Sequence, residues 1–398
     1  MSMTLKLGTK LGAVAAVLAV VATGCSDDDG GGSKSEVDVK TSEDCATRTE
    51  EARDAGDLKE VKLQLQWVSQ AQFAGYYAGV AQCYYVDEGL DVKIVEGGVD
   101  IVPQDVLASG DVDYAISWVP KVLGSIEQGA GITDVAQIFE RSATTQISFK
   151  GKDIGAPADL KGANVGSWGF GNEWELFAGM QSAGVQLEDI NLVQQAFDMN
   201  AFLAGDIDAA QAMTYNEYAQ VLESVNPDTG ELYTPDDLNV INWNDVGTAM
   251  LQDAIWATTD KLSDPDYEAQ TVAFIKASIK GWAFVRDNPE DAAEIVAASG
   301  SELGQSHQLW MTNEINKLIW PSTNGVGIID QAAWDQTVDI ALNTKNETGA
   351  TIITEAPPES AFTNEYVEQA LAELEDEGVD TLGADYQPIE VTLEEGGK

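Results

Sequence analysis

The chain has 398 residues, 44% of them hydrophobic, and sets 21 basic side chains against 67 acidic ones for a net charge of −46. That field repels nucleic-acid phosphates and disfavours a strongly anionic ligand, since few basic residues remain to build a local pocket that would override it. Length and apolar content suffice for two domains with cores of their own, and the scarcity of lysine fits a saline habitat in which salt screens the self-repulsion.

Lys6 and Lys10 precede an apolar run over residues 11–22, followed by Thr23-Gly24-Cys25. Charged, apolar and small-residue regions in that order are those of an export signal over residues 1–24, with an apolar core too short to span a bilayer comfortably. Cys25, with Ser26, three aspartates and a Gly-rich stretch behind it, resembles a bacterial lipobox and its tether. The resemblance implies cleavage before Cys25 and a diacylglycerol anchor on its thiol. Residues 25–57 are polar and acidic and read as a tether, with order beginning near Leu58. Cys45 and Cys83 lack any CxxC or Cys/His cluster, so no metal site is expected. Outside the cytoplasm they read as a disulfide pair, with two free buried thiols as the alternative.

Residues 61–67 alternate apolar and polar as a half-buried strand does. Residues 72–85 read as a helix, 90–95 as a strand, 103–109 as a helix, 113–117 as a strand and 119–128 as a helix. After the turn-rich residues 151–161 the pattern restarts: strand 164–168, helix 173–183, strand 190–194, helix 199–204, strand 209–213, helix 216–224 and strand 238–243. Residues 254–258 read as a strand crossing back to the first unit. The remainder is largely helical, with Val272, Ile275, Ile279 and Trp282 at helical spacing as core. Strands alternating with helices indicate α/β units with parallel sheets. The expected architecture is bilobed, with residues 58–150 and 257–398 in lobe 1, residues 151–256 in lobe 2, and a ligand cleft between them.

Several segments resemble a known family. Leu65-Gln66-Trp67, Gln72-Phe73-Ala74-Gly75-Tyr76-Tyr77, Tyr84-Tyr85-Val86-Asp87-Glu88-Gly89-Leu90 and Val106-Leu107-Ala108-Ser109-Gly110 are similar to the first lobe of periplasmic binding proteins of the thiamine-pyrimidine-precursor type. Leu160-Lys161-Gly162-Ala163-Asn164-Val165-Gly166 and Leu203-Ala204-Gly205-Asp206-Ile207-Asp208-Ala209 look like the second lobe. The likeness runs over residues 58–321. It implies a type-II periplasmic-binding fold, an ABC importer permease with its ATPase as partners, and a thiamine precursor, riboflavin, or a small sulfonate or nitrile as ligand. Cys83 stands where relatives usually place glycine.

The loops expected at the cleft carry Trp67, Phe73, Tyr76, Trp118, Trp168, Phe170, Tyr215 and Trp256, aromatic area that suits stacking on a flat heterocycle, and Gln72 is read as a polar ligand contact beside them. Trp174 is assigned to the core. The loop Gly166-Ser167-Trp168-Gly169-Phe170-Gly171-Asn172-Glu173 reverses the spacing of a dinucleotide fingerprint and has no Walker lysine, so its backbone N–H groups, Asn172 and Glu173 are read as ligand contacts. Asn216 and Glu217 occupy the matching strand-to-helix corner. No catalytic residue or cofactor is assigned: the one histidine, His307, has no cysteine or paired motif nearby. The cysteine-rich iron motif and substrate histidine of the related fungal pyrimidine synthases are missing at the matching places. The expected protein is thus a monomeric, lipid-anchored, extracytoplasmic solute-binding protein for an aromatic nitrogen heterocycle, a thiamine pyrimidine precursor first and riboflavin or a sulfonate or nitrile as alternatives.

Overall fold

A computed structural model describes residues 36–398, so the signal, Cys25 and the start of the expected tether lie outside the described residues. The sheets begin with β1 (Lys59–Gln64), β2 (Leu90–Val95), β3 (Tyr114–Trp118) and β4 (Ile132–Gln137). A second group follows, comprising β5 (Thr144–Phe149), β6 (Asn164–Ser167), β7 (Asn191–Gln194), β8 (Ala209–Met213) and β9 (Leu238–Asn242), and β10 (Asp253–Thr258) closes the set. The first sheet has the order β2-β1-β3-β10-β4 and the second β7-β6-β8-β5-β9.

Both sheets therefore follow one plan, with the second, first and third strands parallel and a strand from beside the chain crossing inserted antiparallel before the fourth. The sheets are mixed, where the sequence pattern predicted parallel ones. The lobe boundaries also move. Residues 144–149, assigned to lobe 1, belong to the second sheet, and residues 253–256, assigned to lobe 2, belong to the first. Exchange of β5 and β10 is a matter of long-range pairing, which strand periodicity does not encode.

Val61 and Leu63 of β1 are buried against Val92 and Ile94 of β2 in the first core. The helix Pro265–Asp287 covers that sheet; Asp264 caps it by accepting from the Asp266 amide, and Pro265 occupies its first turn, where a missing N–H costs nothing. Val272, Ile275, Ile279 and Trp282 are all buried in it. It packs against the helix Ala74–Ala81 at a pair of glycines: a Cβ on Gly281 would lie 2.0 Å from the Gly75 carbonyl oxygen, and one on Gly75 would lie 2.2 Å from the Trp282 ring. Backbones this close tolerate no side chain there.

The expected tether is partly folded. Residues Glu43–Ala55 form a helix capped by Ser42, whose Oγ accepts from the Cys45 amide at 3.1 Å, and ended by left-handed Gly56. Its only buried residue is Cys45, which is why no apolar period marks it. Cys45 is bonded to Cys83 with Cα atoms 5.6 Å apart, and Arg53 grips Asp91 of β2 through Nε at 2.9 Å and Nη2 at 3.1 Å. No helix among the described residues is long and apolar enough to cross a membrane.

Candidate functional site

A cavity of about 820 Å³ opens between the sheets, at the carboxyl ends of their parallel strands, where ligands of open α/β sheets belong. Trp67, Gln72, Trp118, Trp168, Phe170, Asn172, Tyr215, Asn216 and Glu217, all singled out from the sequence, line it. Four others do not. Phe73 and Tyr76 lie inside the first core, whose packing takes up their rings, with Tyr76 edge-on at 5.7 Å to Trp282 of the helix Pro265–Asp287. Trp256 is fully buried in β10 with its Nε1 donating to the Ser117 carbonyl at 2.9 Å. The fourth, Glu173, stands outside the wall and accepts from the Gly171 amide at 2.9 Å through Oε2.

The first-sheet wall is built around Trp118, at the end of β3. Its backbone N–H donates to Gln66 Oε1 at 2.8 Å and its indole Nε1 donates to Asp253 Oδ1 at 2.7 Å, which fixes the ring. Gln72 Nε2 donates to the same carboxylate at 3.0 Å, and Gln70 Nε2 donates to Gln72 Oε1 at 2.7 Å. Burial pushes the Asp253 carboxyl up to about 7, against the opposing pull of Gln72, Trp118 and the Lys121 charge. Lys121 follows one turn into the helix Val119–Glu127, its ammonium 4.8 Å from the centre of the Trp118 ring.

On the second-sheet side, Gly169, Phe170 and Gly171 all take left-handed backbone, at φ 66°, 54° and 85°. Two glycines make that turn cheap, while Phe170 adopts it at a cost and stands 83% exposed over the cavity. The expectation of free loop amides is largely overturned. Trp168 N–H donates to Gln211 Oε1, Gly169 N–H to Ser167 Oγ, Gly171 N–H to Glu173 and Asn172 N–H to the Gly169 carbonyl. The loop thus spends its donors on its own shape. Asn172 Nδ2 likewise donates to the Gly169 carbonyl at 2.7 Å.

The corner after β8 places Glu217 in the wall, with Oε2 accepting from the Met213 amide at 3.0 Å and Oε1 from Asn216 Nδ2 at 3.1 Å. Burial pushes its carboxyl up to about 7, only partly offset by backbone hydrogen bonds and His307. A carboxyl so placed can donate as well as accept a hydrogen bond near neutral pH.

Sequence reasoning passed over Phe197, Lys121, Asp253 and the stretch 98–104. Phe197 links the halves, its ring 4.9 Å from Trp67 and stacked at 6.3 Å on Trp168. Residues 98–104 follow β2 and Phe197 follows β7, the equivalent strands of the two sheets, so applying the strand-end rule to every parallel strand would have found both. Trp174, assigned to the core, is buried yet forms part of the wall.

Residues 70–292, more than half of the chain, match the NMT1/THI5-like family. The chain belongs to that family. This NMT1/THI5-like protein is 27% identical over 261 residues to the formylaminopyrimidine-binding protein of Halalkalibacterium halodurans, which covers 65% of the chain and 75% of the relative. It is 23% identical over 329 residues to the riboflavin-binding protein RibY of Chloroflexus aurantiacus, covering 78% of the chain and 86% of the relative. Among solved structures, the periplasmic aliphatic sulphonate binding protein SsuA of Escherichia coli superposes with a TM-score of 0.52 at 15% identity, over 84% of this chain and 94% of that one. That likeness establishes the periplasmic-binding fold.

Proposed function

We propose that the protein is an extracytoplasmic, lipid-anchored solute-binding protein that captures a flat nitrogen heterocycle, a thiamine pyrimidine precursor, and delivers it to an ABC importer. The observation that carries this reading is the ring of aromatic side chains around one cavity: Trp67 and Trp118 from the first half, Trp168, Phe170, Trp174, Phe197 and Tyr215 from the second. Flat faces on both sides of a cleft favour a flat guest, and a guest that touches both halves shifts them toward closure. Glu217 supplies a carboxyl poised near neutrality for the amino and ring-nitrogen edge of a pyrimidine. The relative from Halalkalibacterium halodurans, named for formylaminopyrimidine, supports this choice. No bond-making step is assigned to these residues.

Riboflavin is the second reading. It is favoured by the cavity's volume of about 820 Å³, ample for a three-ring ligand, and by the relative named for riboflavin.

The test is a thermal-shift and calorimetric panel on the purified protein with formylaminopyrimidine, riboflavin and alkanesulfonates. The proposed ligand at a hundredfold excess over its Kd should stabilise the fold by about 2.7 kcal/mol. A response to sulfonates alone would defeat the heterocycle reading.

A further inference from the structure

Lys121 is the one basic side chain in the cavity wall among the described residues. With 21 basic residues against 67 acidic ones, a basic side chain in the cavity wall is a scarce resource. Several lysines elsewhere are tied to carboxylates, Lys276 to Glu88, Glu373 and Glu377, Lys152 to Asp208, and Lys161 to Asp189, whereas Lys121 stands in a cavity wall. Lys121 makes no ion pair and no hydrogen bond among the described residues; its contact is with the face of Trp118. Its stem also reaches the other half, since a Cβ on Gly171 would lie 3.7 Å from Lys121 Cγ. A cation held between the halves loses water when they close and then needs an acceptor.

We infer that Lys121 reads a carbonyl oxygen on the ligand, so that the protein takes heteroaromatic rings bearing a neutral acceptor substituent on the edge opposite their amino group. This rests on the heterocycle reading above and adds what the ring must carry. The Lys121 ammonium lies over the face of Trp118 on one side of the cavity, and the Glu217 carboxyl stands at the corner of the other half. A full anion fits less well. Asp253 and Glu173 both act on the Lys121 charge, so the one ammonium that would favour an anion already has carboxyl groups acting on it, and Glu217 adds a third carboxyl in the wall. Burial lowers the Lys121 pKa to about 8, against the pull of Asp253 and Glu173, which leaves it charged at neutral pH and short of solvation.

The experiment compares formylaminopyrimidine with an analogue in which a neutral ethyl group replaces the formylamino group, by calorimetry on wild type and Lys121→Met. Wild type should bind the carbonyl-bearing ligand at least tenfold more tightly. Lys121→Met should lose that preference and bind the two compounds within about twofold of each other, a hydrogen bond from one charged donor being worth about tenfold or more. A preference that survives in Lys121→Met overturns the role of Lys121 and leaves the pyrimidine reading standing. Failure of wild type to bind either compound overturns both. An alkanesulfonate that binds more tightly than either pyrimidine, and does so only with Lys121 present, overturns the neutral-carbonyl assignment. Should Lys121→Met fail to fold, Lys121→Gln gives the same comparison, with the preference reduced at least threefold.

Discussion

His307 Nδ1 lies 2.8 Å from Glu223 Oε1, and this contact joins the two halves of the protein. His307 belongs to the helix Gln305–Ile319, which packs on the first half, where Gln308 accepts from the Ala71 amide. Glu223 ends the helix Glu217–Leu222 of the second half. The other imidazole nitrogen, Nε2, is 3.1 Å from Asn216 Oδ1, and Asn216 lines the cavity. The latch and the ligand therefore share a residue. His307→Ala leaves a buried carboxylate without its partner, so we expect a stability loss of about 1–3 kcal/mol in urea denaturation, together with a larger radius in solution scattering. An unchanged radius and midpoint would show the contact to be idle.

Asp253 makes stability depend on pH. Its folded pKa of about 7 stands above the value of roughly 3.9 for an unfolded aspartate. Between those values the folded chain keeps a proton that the unfolded chain releases. The contribution is thus complete below the unfolded pKa and is lost as pH rises through about 7. Glu175 and Glu217, both pushed up by burial to about 7, act in the same direction. Asp253→Asn stays neutral, so its urea midpoint should fall less steeply than that of wild type over about pH 5 to 8. Parallel profiles would contradict the assignment.

The disulfide can be tested without touching the cavity. Cys45 and Cys83 are 38 residues apart, and closing such a loop lowers unfolded-chain entropy by about 4 kcal/mol at room temperature. Cys45→Ser/Cys83→Ser should lose much of that stability. Cys83 also sits at φ 63°, left-handed backbone that glycine adopts freely. Cys83→Gly should therefore be about 1 kcal/mol more stable than Cys83→Ser. Equal midpoints for wild type and the double serine variant would remove the bridge from the stability account.

Phe170 separates function from folding. Its ring is 83% exposed and its backbone left-handed at φ 54°, so the fold gains little from it. Phe170→Gly should leave stability within about 1 kcal/mol. Ligand affinity should weaken by about 1–3 kcal/mol, the usual worth of an aromatic stack. Lost stability with unchanged affinity would place the ring in the scaffold.

The sequence by itself determined the local alternation of strands and helices, the buried face of the helix Pro265–Asp287, and the strand-end positions of Trp67, Trp118, Trp168 and Tyr215. These follow from periods of two and 3.6 residues and from the loops that the alternation of elements leaves at an expected cleft. The tertiary structure alone decided that Phe73, Tyr76 and Trp256 turn inward while Phe197 and Lys121 face the cavity. It also decided that β5 and β10 change places between sheets and that Asp253 lies beneath Trp118. Periodicity shows which side chains share a face; which face meets the cleft depends on pairings between residues more than a hundred positions apart, such as Trp118 with Asp253.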